Sequence, residues 1–256
     1  MLRKRIIFTL IYSDGFFMLS RNFRLQKVGD LSWLERNYKF QEIAFSIDEL
    51  IILDSTKNKK SINAFSNTIK ELVKDIFIPL SAGGGIRSLD DAQLLFNSGA
   101  DKIVLNSILT QDSNLVTELV NKYGSQSIVA SVDYKKNGNV YDVFINNGEH
   151  LINMALEEYL DYLQNLKVGE IYLNSIDKDG TGFGYDFEVI NLLNSDLSIP
   201  VIIAGGAGNE NHFLEGLKND NISAVATANL YNFMGDSLPN ARMKLLNQNI
   251  NIARFK

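Results

Sequence analysis

Short segments of this chain recur in matched pairs at one fixed offset. Thr9-Leu10-Ile11-Tyr12 is answered by Ser131-Val132-Asp133-Tyr134, and the same offset sets Ala82-Gly83-Gly84 against Ala204-Gly205-Gly206. Recurring segments imply recurring fold units, so two related halves are expected. The halves differ at one point that matters chemically: the second carries a carboxylate, Asp133, where the first carries Ile11.

Eight short β-branched runs punctuate the sequence, at 5–11, 49–54, 78–82, 102–106, 127–133, 170–174, 201–204 and 223–226. Their near-continuous apolar character suits strands covered on both faces. Helical patterns lie between them. In 111–122, Thr110 stands as the N-cap, Asp112 falls in the first turn and Gly124 follows the end. In 151–167, Ile152, Leu156, Tyr159, Leu160 and Leu163 form one apolar stripe. The alternation predicts the α/β class and a single (β/α)8 TIM barrel spanning residues 1–256, with an internal twofold half-barrel repeat; an open doubly wound sheet is the alternative. A further hairpin strand is expected at 140–145, and a long loop at 15–30.

Composition narrows the chemistry. A chain of 256 residues, 45% hydrophobic, is long enough for one large domain, and no run approaches the roughly 18 apolar residues of a membrane span. A soluble, cytoplasmic protein is expected. The absence of cysteine excludes disulfides, thiolate metal sites and thiol catalysis. His150, placed among loop residues, and His212 are the two histidines, so neither a histidine metal site nor a Ser-His-Asp triad is expected, and no metal or cofactor is implied. A net charge of -5, with 25 basic and 30 acidic residues dispersed, offers no basic stripe for nucleic acid.

In barrels of this kind the reacting groups sit at the carboxyl ends of the strands. Gly83-Gly84-Gly85-Ile86-Arg87 follows the third predicted strand, and Gly205-Gly206-Ala207-Gly208 follows the seventh. Glycine loops before helices let backbone N–H groups approach an anion. Phosphate binding at both loops, to a ligand phosphorylated at both ends, is the functional reading; tight strand-to-helix turns are the plain one. The loop Ser175-Ile176-Asp177-Lys178-Asp179-Gly180-Thr181-Gly182 could hold ligand hydroxyls, close a phosphate pocket, or be a polar turn. Asp133, beside Val129 and Val132, could titrate at a raised pKa as a general acid or base, or cap a turn through Asn137-Gly138. Asp54 ends the second strand in a similar way. At the opposite strand ends stand Arg5, Glu49, Lys102 and Glu170, two of each sign, which could close an ion-pair ring. A structural plug is the default for that face.

These residues, in this order, resemble the cyclase subunit (HisF type) of imidazole glycerol phosphate synthase. The matching stretches are Lys4-Arg5-Ile6-Ile7, Asp48-Glu49-Leu50, Gly83-Gly84-Gly85-Ile86, Gly99-Ala100-Asp101-Lys102, Tyr123-Gly124-Ser125-Gln126, 175–181 and Gly205-Gly206-Ala207-Gly208. The resemblance covers essentially the whole chain. It implies a barrel docked by its amino-terminal face on a HisH-type glutaminase subunit, with Asp101 and Gln126 facing that partner. Ammonia would enter past a gate of Arg5, Glu49, Lys102 and Glu170 and meet a phosphorylated acceptor. One phosphate would rest on Gly84, Gly85, Asn106 and Ser107, the other on Asp179, Gly180, Gly205, Gly206 and Asn229. Asp133 matches the second of the family's two catalytic aspartates.

Two departures stand out. Ile11 occupies the position of the first catalytic aspartate, and Leu19 that of a lysine which covers the substrate. Isoleucine cannot move a proton, and losing a positioned acid or base lowers rate by roughly 10²–10⁴. The divergence suggests a paralogue that passes ammonia to another acceptor, as members of the family do in making amino or amidino sugars of surface polysaccharides. An authentic cyclase assisted by Asp14 or Asp54, a non-catalytic scaffold that activates a glutaminase, and a sugar-phosphate isomerase are the alternatives.

Overall fold

The computed structural model describes residues 3–38, 43, 45–57, 60–193 and 197–255. Twelve strands are present among them: β1 Arg5–Ser13, β2 Phe16–Arg21, β3 Arg24–Gly29, β4 Glu49–Asp54, β5 Leu80–Gly83, β6 Lys102–Leu105, β7 Ile128–Asn137, β8 Val140–Ile145, β9 His150–Ala155, β10 Glu170–Ser175, β11 Val201–Ala204 and β12 Ile222–Thr227. Eight pair in parallel in the order β1-β4-β5-β6-β7-β10-β11-β12, and β12 pairs back with β1, closing the barrel. All eight coincide, within a few residues, with the eight apolar runs.

Alternation along each strand explains why both faces are apolar. On β1, Ile6, Phe8 and Leu10 join the large core between barrel and helices, whereas Ile7 joins a separate cluster inside the barrel with Ile51, Val104, Val129, Tyr172, Ile202, Ala204, Ala224 and Ala226. The helix Ile62–Leu72 shows the outer packing: Phe65, Ile69 and Leu72 are buried one turn apart, and the Ser61 hydroxyl caps the start by accepting from the Ala64 N–H at 3.2 Å. Such a cap contributes about 1 kcal/mol. No helix among the described residues is long and apolar enough to cross a membrane.

Three local expectations need correction. The segment 15–30 is no loop: β2 and β3 form an antiparallel hairpin that pairs with β1. Its two-residue turn is Asn22-Phe23, both at positive φ (49° and 61°), the backbone a tight hairpin turn requires. The expected helix 151–167 begins instead at Leu156, because 150–155 extends as β9 against β8, and Ile152 reaches the core from a strand. His150 opens that strand. Lastly, Thr110 lies inside the short helix Ile108–Gln111, and the cap of the helix Ser113–Tyr123 is Asp112, whose carboxylate accepts from the Leu115 N–H at 3.0 Å. Gly124, at φ 84°, ends that helix as expected.

Candidate functional site

At the amino-terminal ends of the strands, four charged side chains close a ring. Glu49 accepts from Arg5 at 2.9 Å and from Lys102 at 3.0 and 3.1 Å, and Lys102 also reaches Glu170 at 2.9 Å. Arg5 completes the circuit on Glu170. Ser81 adds a hydroxyl to Glu49 at 2.5 Å. Burial disfavours the Glu170 carboxylate, but the Arg5 hydrogen bond and the charges of Arg5 and Lys102 outweigh it and hold its pKa below the usual range. Burial likewise opposes the Arg5 charge, and the two glutamates overcome it. Asp101 and Gln126 are exposed at the same end of the barrel; Asp101 accepts from the Leu80 N–H at 2.8 Å.

Beyond the ring lies the apolar inner cluster, narrowed on β11 and β12 to three alanines. Beyond that, at the carboxyl ends, opens a cavity of about 570 Å³. Its wall brings together Asp54, Gly84, Gly85, Asn106, Ser107, Asp133, Asp179, Gly180, Gly205, Gly206 and Asn229. Asp14 does not line it; this residue is exposed in the β1–β2 turn.

Asp133 is 7% exposed at the base of the cavity. Asn106 Nδ2 donates to its Oδ2 and Asn174 Nδ2 to its Oδ1, each at 3.2 Å. Burial raises the carboxyl pKa to about 7; Asn174 and Asn106 pull it down, and the Asp179 charge pushes it up. The Asn137-Gly138 turn lies at the far end of β7, so Asp133 does not cap it. Asp133 is thus held ready to exchange a proton near neutral pH. Asp54 sits in the same wall with Oδ1 accepting from the Thr56 N–H at 2.9 Å. Asp179 serves the roof: it accepts from the Ser20 hydroxyl at 2.5 Å and the Phe23 N–H at 3.0 Å, fastening the β2–β3 hairpin beside the cavity. Burial raises the Asp179 pKa against the pull of those two donors.

The two glycine turns match. Gly84 has φ 109° and a side chain there would meet the Asp54 carbonyl oxygen at 2.2 Å; Gly206 has φ 108° and would meet the Gly184 carbonyl oxygen at 2.0 Å. Neither turn tolerates a Cβ. Among the described residues no hydrogen bond within the protein uses the N–H of Gly84, Gly85 or Gly206, which leaves these donors for an anion.

A model of the family described as histidine biosynthesis protein matches residues 26–234. The chain is 47% identical over 242 residues, 94% of its length and 90% of the relative's, to a protein of Parasynechococcus marenigrum (strain WH8102) named "Putative imidazole glycerol phosphate synthase subunit hisF2". It is 37% identical over 254 residues to the subunit HisF of Hydrogenobaculum sp. (strain Y04AAS1), covering 98% of this chain and 99% of that one. With the HisF of Pelodictyon phaeoclathratiforme (strain DSM 5477 / BU-1) it shares 36% identity over 256 residues, with the same coverage. The chain belongs to this family, as a HisF-type member.

Against that membership the two departures acquire positions. Ile11 is half-buried in the cavity wall on β1, and Leu19 packs from β2 against the outer core, while Ser20, Phe23 and Leu25 are the hairpin's contributions to the cavity. Residue reading of this HisF-type chain gave no role to several cavity side chains, among them Asn174, Tyr172, Lys60 and Arg87. Asn174 was detectable, since β10 pairs with β7 and sets it level with Asp133. Tyr172, hydrogen-bonded to Thr9 at 3.1 Å inside the barrel, had the look of an ordinary core aromatic.

Proposed function

We propose that this HisF-type barrel takes ammonia from a glutaminase subunit docked on its amino-terminal face and delivers it to a phosphorylated acceptor in the cavity. In this reading Arg5, Glu49, Lys102 and Glu170 gate the entry, Asp101 and Gln126 meet the partner, and ammonia crosses the apolar layer. Low polarity there favours neutral ammonia over ammonium, because an unpaired ion pays heavily for desolvation. Gly84, Gly85, Asn106 and Ser107 would hold one phosphate of the acceptor, and Gly180, Gly205, Gly206 and Asn229 the other.

The observation that carries the proposal is Asp133. A carboxyl group poised near neutrality at the inner end of the cavity is placed to take the proton that an attacking ammonia must shed. Ile11 leaves no partner acid on β1. One carboxylate suffices for a single proton transfer, whereas ring closure with elimination calls for more. We therefore assign the protein to amination of a phosphorylated sugar acceptor in amino- or amidino-sugar synthesis rather than to imidazole ring formation. The second reading, an authentic cyclase, is favoured by near full-length similarity to proteins named HisF and by Asp54, which lines the cavity as a possible substitute acid.

A complementation test separates the two. The gene is expected not to restore histidine-free growth to a strain lacking the cyclase, whereas growth would overturn the assignment. Purified with its glutaminase, the barrel should transfer label from amide-labelled glutamine to a phosphorylated acceptor; steady glutamine hydrolysis without any labelled product would indicate a scaffold.

A further inference from the structure

The two glycine cradles are matched in backbone but not in charge. Lys57, Lys60 and Arg87 are the basic side chains lining the cavity among the described residues, and Lys60 and Arg87 belong to the side of the Gly84 and Gly85 cradle. The stem of Lys60 lies over this turn, its Cδ 3.2 Å from where a Cβ on Gly85 would sit, and its Nζ donates to the Asp54 carbonyl oxygen at 2.7 Å. Lys57 is committed to Glu149 at 2.5 Å. Among the described residues Lys60 and Arg87 form no ion pair with a carboxylate. They are close enough to repel: burial first and the Arg87 charge as well lower the Lys60 pKa, against the pull of Asp54. Asp91 is the near carboxylate, and it accepts from the backbone N–H of Arg87 at 2.9 Å.

The other cradle has no such cations. Lys178 has its Cβ 3.2 Å from where a Cβ on Gly206 would sit, yet it does not line the cavity. The charged group at that end is the Asp179 carboxylate. Lys60, whose stem lies over the turn, and Arg87, two residues beyond it on the same cavity wall, are, among the described residues, cations without a carboxylate partner, and a phosphate dianion is a group whose charge and oxygen count suit both.

Resting on the bisphosphate reading above, we propose that Lys60 and Arg87 clamp the more highly charged, terminal phosphate monoester of the acceptor in the Gly84-Gly85 cradle, making that cradle the primary anchor. The Gly206 cradle then receives the less charged end. This fixes the acceptor's polarity in the cavity and makes its affinity depend on the clamp.

The test is a titration with inorganic phosphate followed through the backbone amide resonances of Gly85 and Gly206. In the wild-type protein Gly85 is expected to reach half-saturation at an at least fivefold lower phosphate concentration than Gly206. Lys60→Ala and Arg87→Ala each shorten a side chain that belongs to neither hydrophobic core, so folding is expected to be retained. Each should raise the Gly85 midpoint about tenfold, the loss of one charge-assisted contact, and move the Gly206 midpoint less than twofold. Lys122→Ala, on the outer helix Ser113–Tyr123, should change neither. Equal midpoints in the wild type, or an unchanged Gly85 midpoint in both variants, would overturn the clamp while leaving the bisphosphate reading intact. No shift at either glycine would defeat both.

Discussion

Asn174 and Asp133 lie level with each other on paired strands, and the asparagine donates to the aspartate across 3.2 Å. Asn106 does the same from the other side. Both donors are neutral, so the carboxylate is hydrogen-bonded without being neutralised, and burial prevails: its pKa stands at about 7 against an ordinary 3.8. The consequence for stability has a definite sign. Between those values the folded protein binds a proton that the unfolded chain releases, so stability should fall as pH rises through that window and level off above about 7. The drop would amount to roughly 4 kcal/mol at most. Urea unfolding measured across that range should show the slope in the wild type and its loss in Asp133→Asn, and an equal slope in both would assign it to another group.

Ile11 is half-buried in the wall of the cavity that contains Asp133. If the remaining cradle is intact, restoring an acid there should restore proton handling. Ile11→Asp is expected to raise imidazole ring closure from ammonium salt by a factor of roughly 10² or more, the usual scale for a positioned acid or base. An unimproved rate would mean that the cavity has diverged beyond this one position, with Leu19 the next departure to reverse.

The barrel was legible because its strands are apolar on both faces; few other environments demand uninterrupted runs such as Ile51-Ile52 or Ile202-Ile203. The glycine turns, Asp54 and Asp133 followed from the rule that strand ends carry chemistry, whereas Asn106, Ser107 and Asn229 entered through the family resemblance. What stayed hidden depends on contacts distant in sequence. Asn22-Phe23 lacks the glycine that usually marks a two-residue hairpin turn, and what holds that turn in place, the bonds from Asn22 to the loop after β10 and from Phe23 to Asp179, joins residues more than half the chain apart. Lys60 carries no motif of its own, and Arg87 stands in the sequence only as the last residue of the glycine motif; both line the cavity because the loops after β4 and β5 meet there. Asp112 lost to Thr110 in the sequence reading because the preceding turn is itself a short helix, which shifts the cap by two residues.

Glu49 is 2% exposed and accepts from Arg5, Lys102 and Ser81. Glu49→Gln would leave two cations with one carboxylate between them. Removing one partner of a buried network typically costs 3–5 kcal/mol, and urea unfolding should register a loss of about that size. The pH dependence should change as well. The depressed Glu170 pKa contributes stability that is present above its unfolded value of 4.5 and lost as pH falls through the folded value. With a single carboxylate left to the two cations, that acid-side loss is expected to move to lower pH. A variant as stable as the wild type would show the ring to be dispensable for the fold and would turn attention to the role in ammonia entry proposed for it.

Asp179 fastens the β2–β3 hairpin through Ser20 and Phe23, and Asn22 adds bonds to the carbonyls of Ile176 and Asp177 at 3.1 and 3.0 Å. The Ser20 hydroxyl donates to a charged, buried acceptor, a contact of about 1.5–3 kcal/mol. Ser20→Ala removes it without touching the barrel strands. Local opening of the hairpin should then become easier by about that amount, so amide hydrogen exchange across 16–29 should quicken tenfold or more while the amides of β4 and β7 keep their rates. Losing that donor also removes one of the two pulls that oppose burial at Asp179, so its raised pKa should rise further. Hairpin amides that exchange at wild-type rates would instead locate the hold in the Asn22 bonds, and Asn22→Ala should then produce the acceleration.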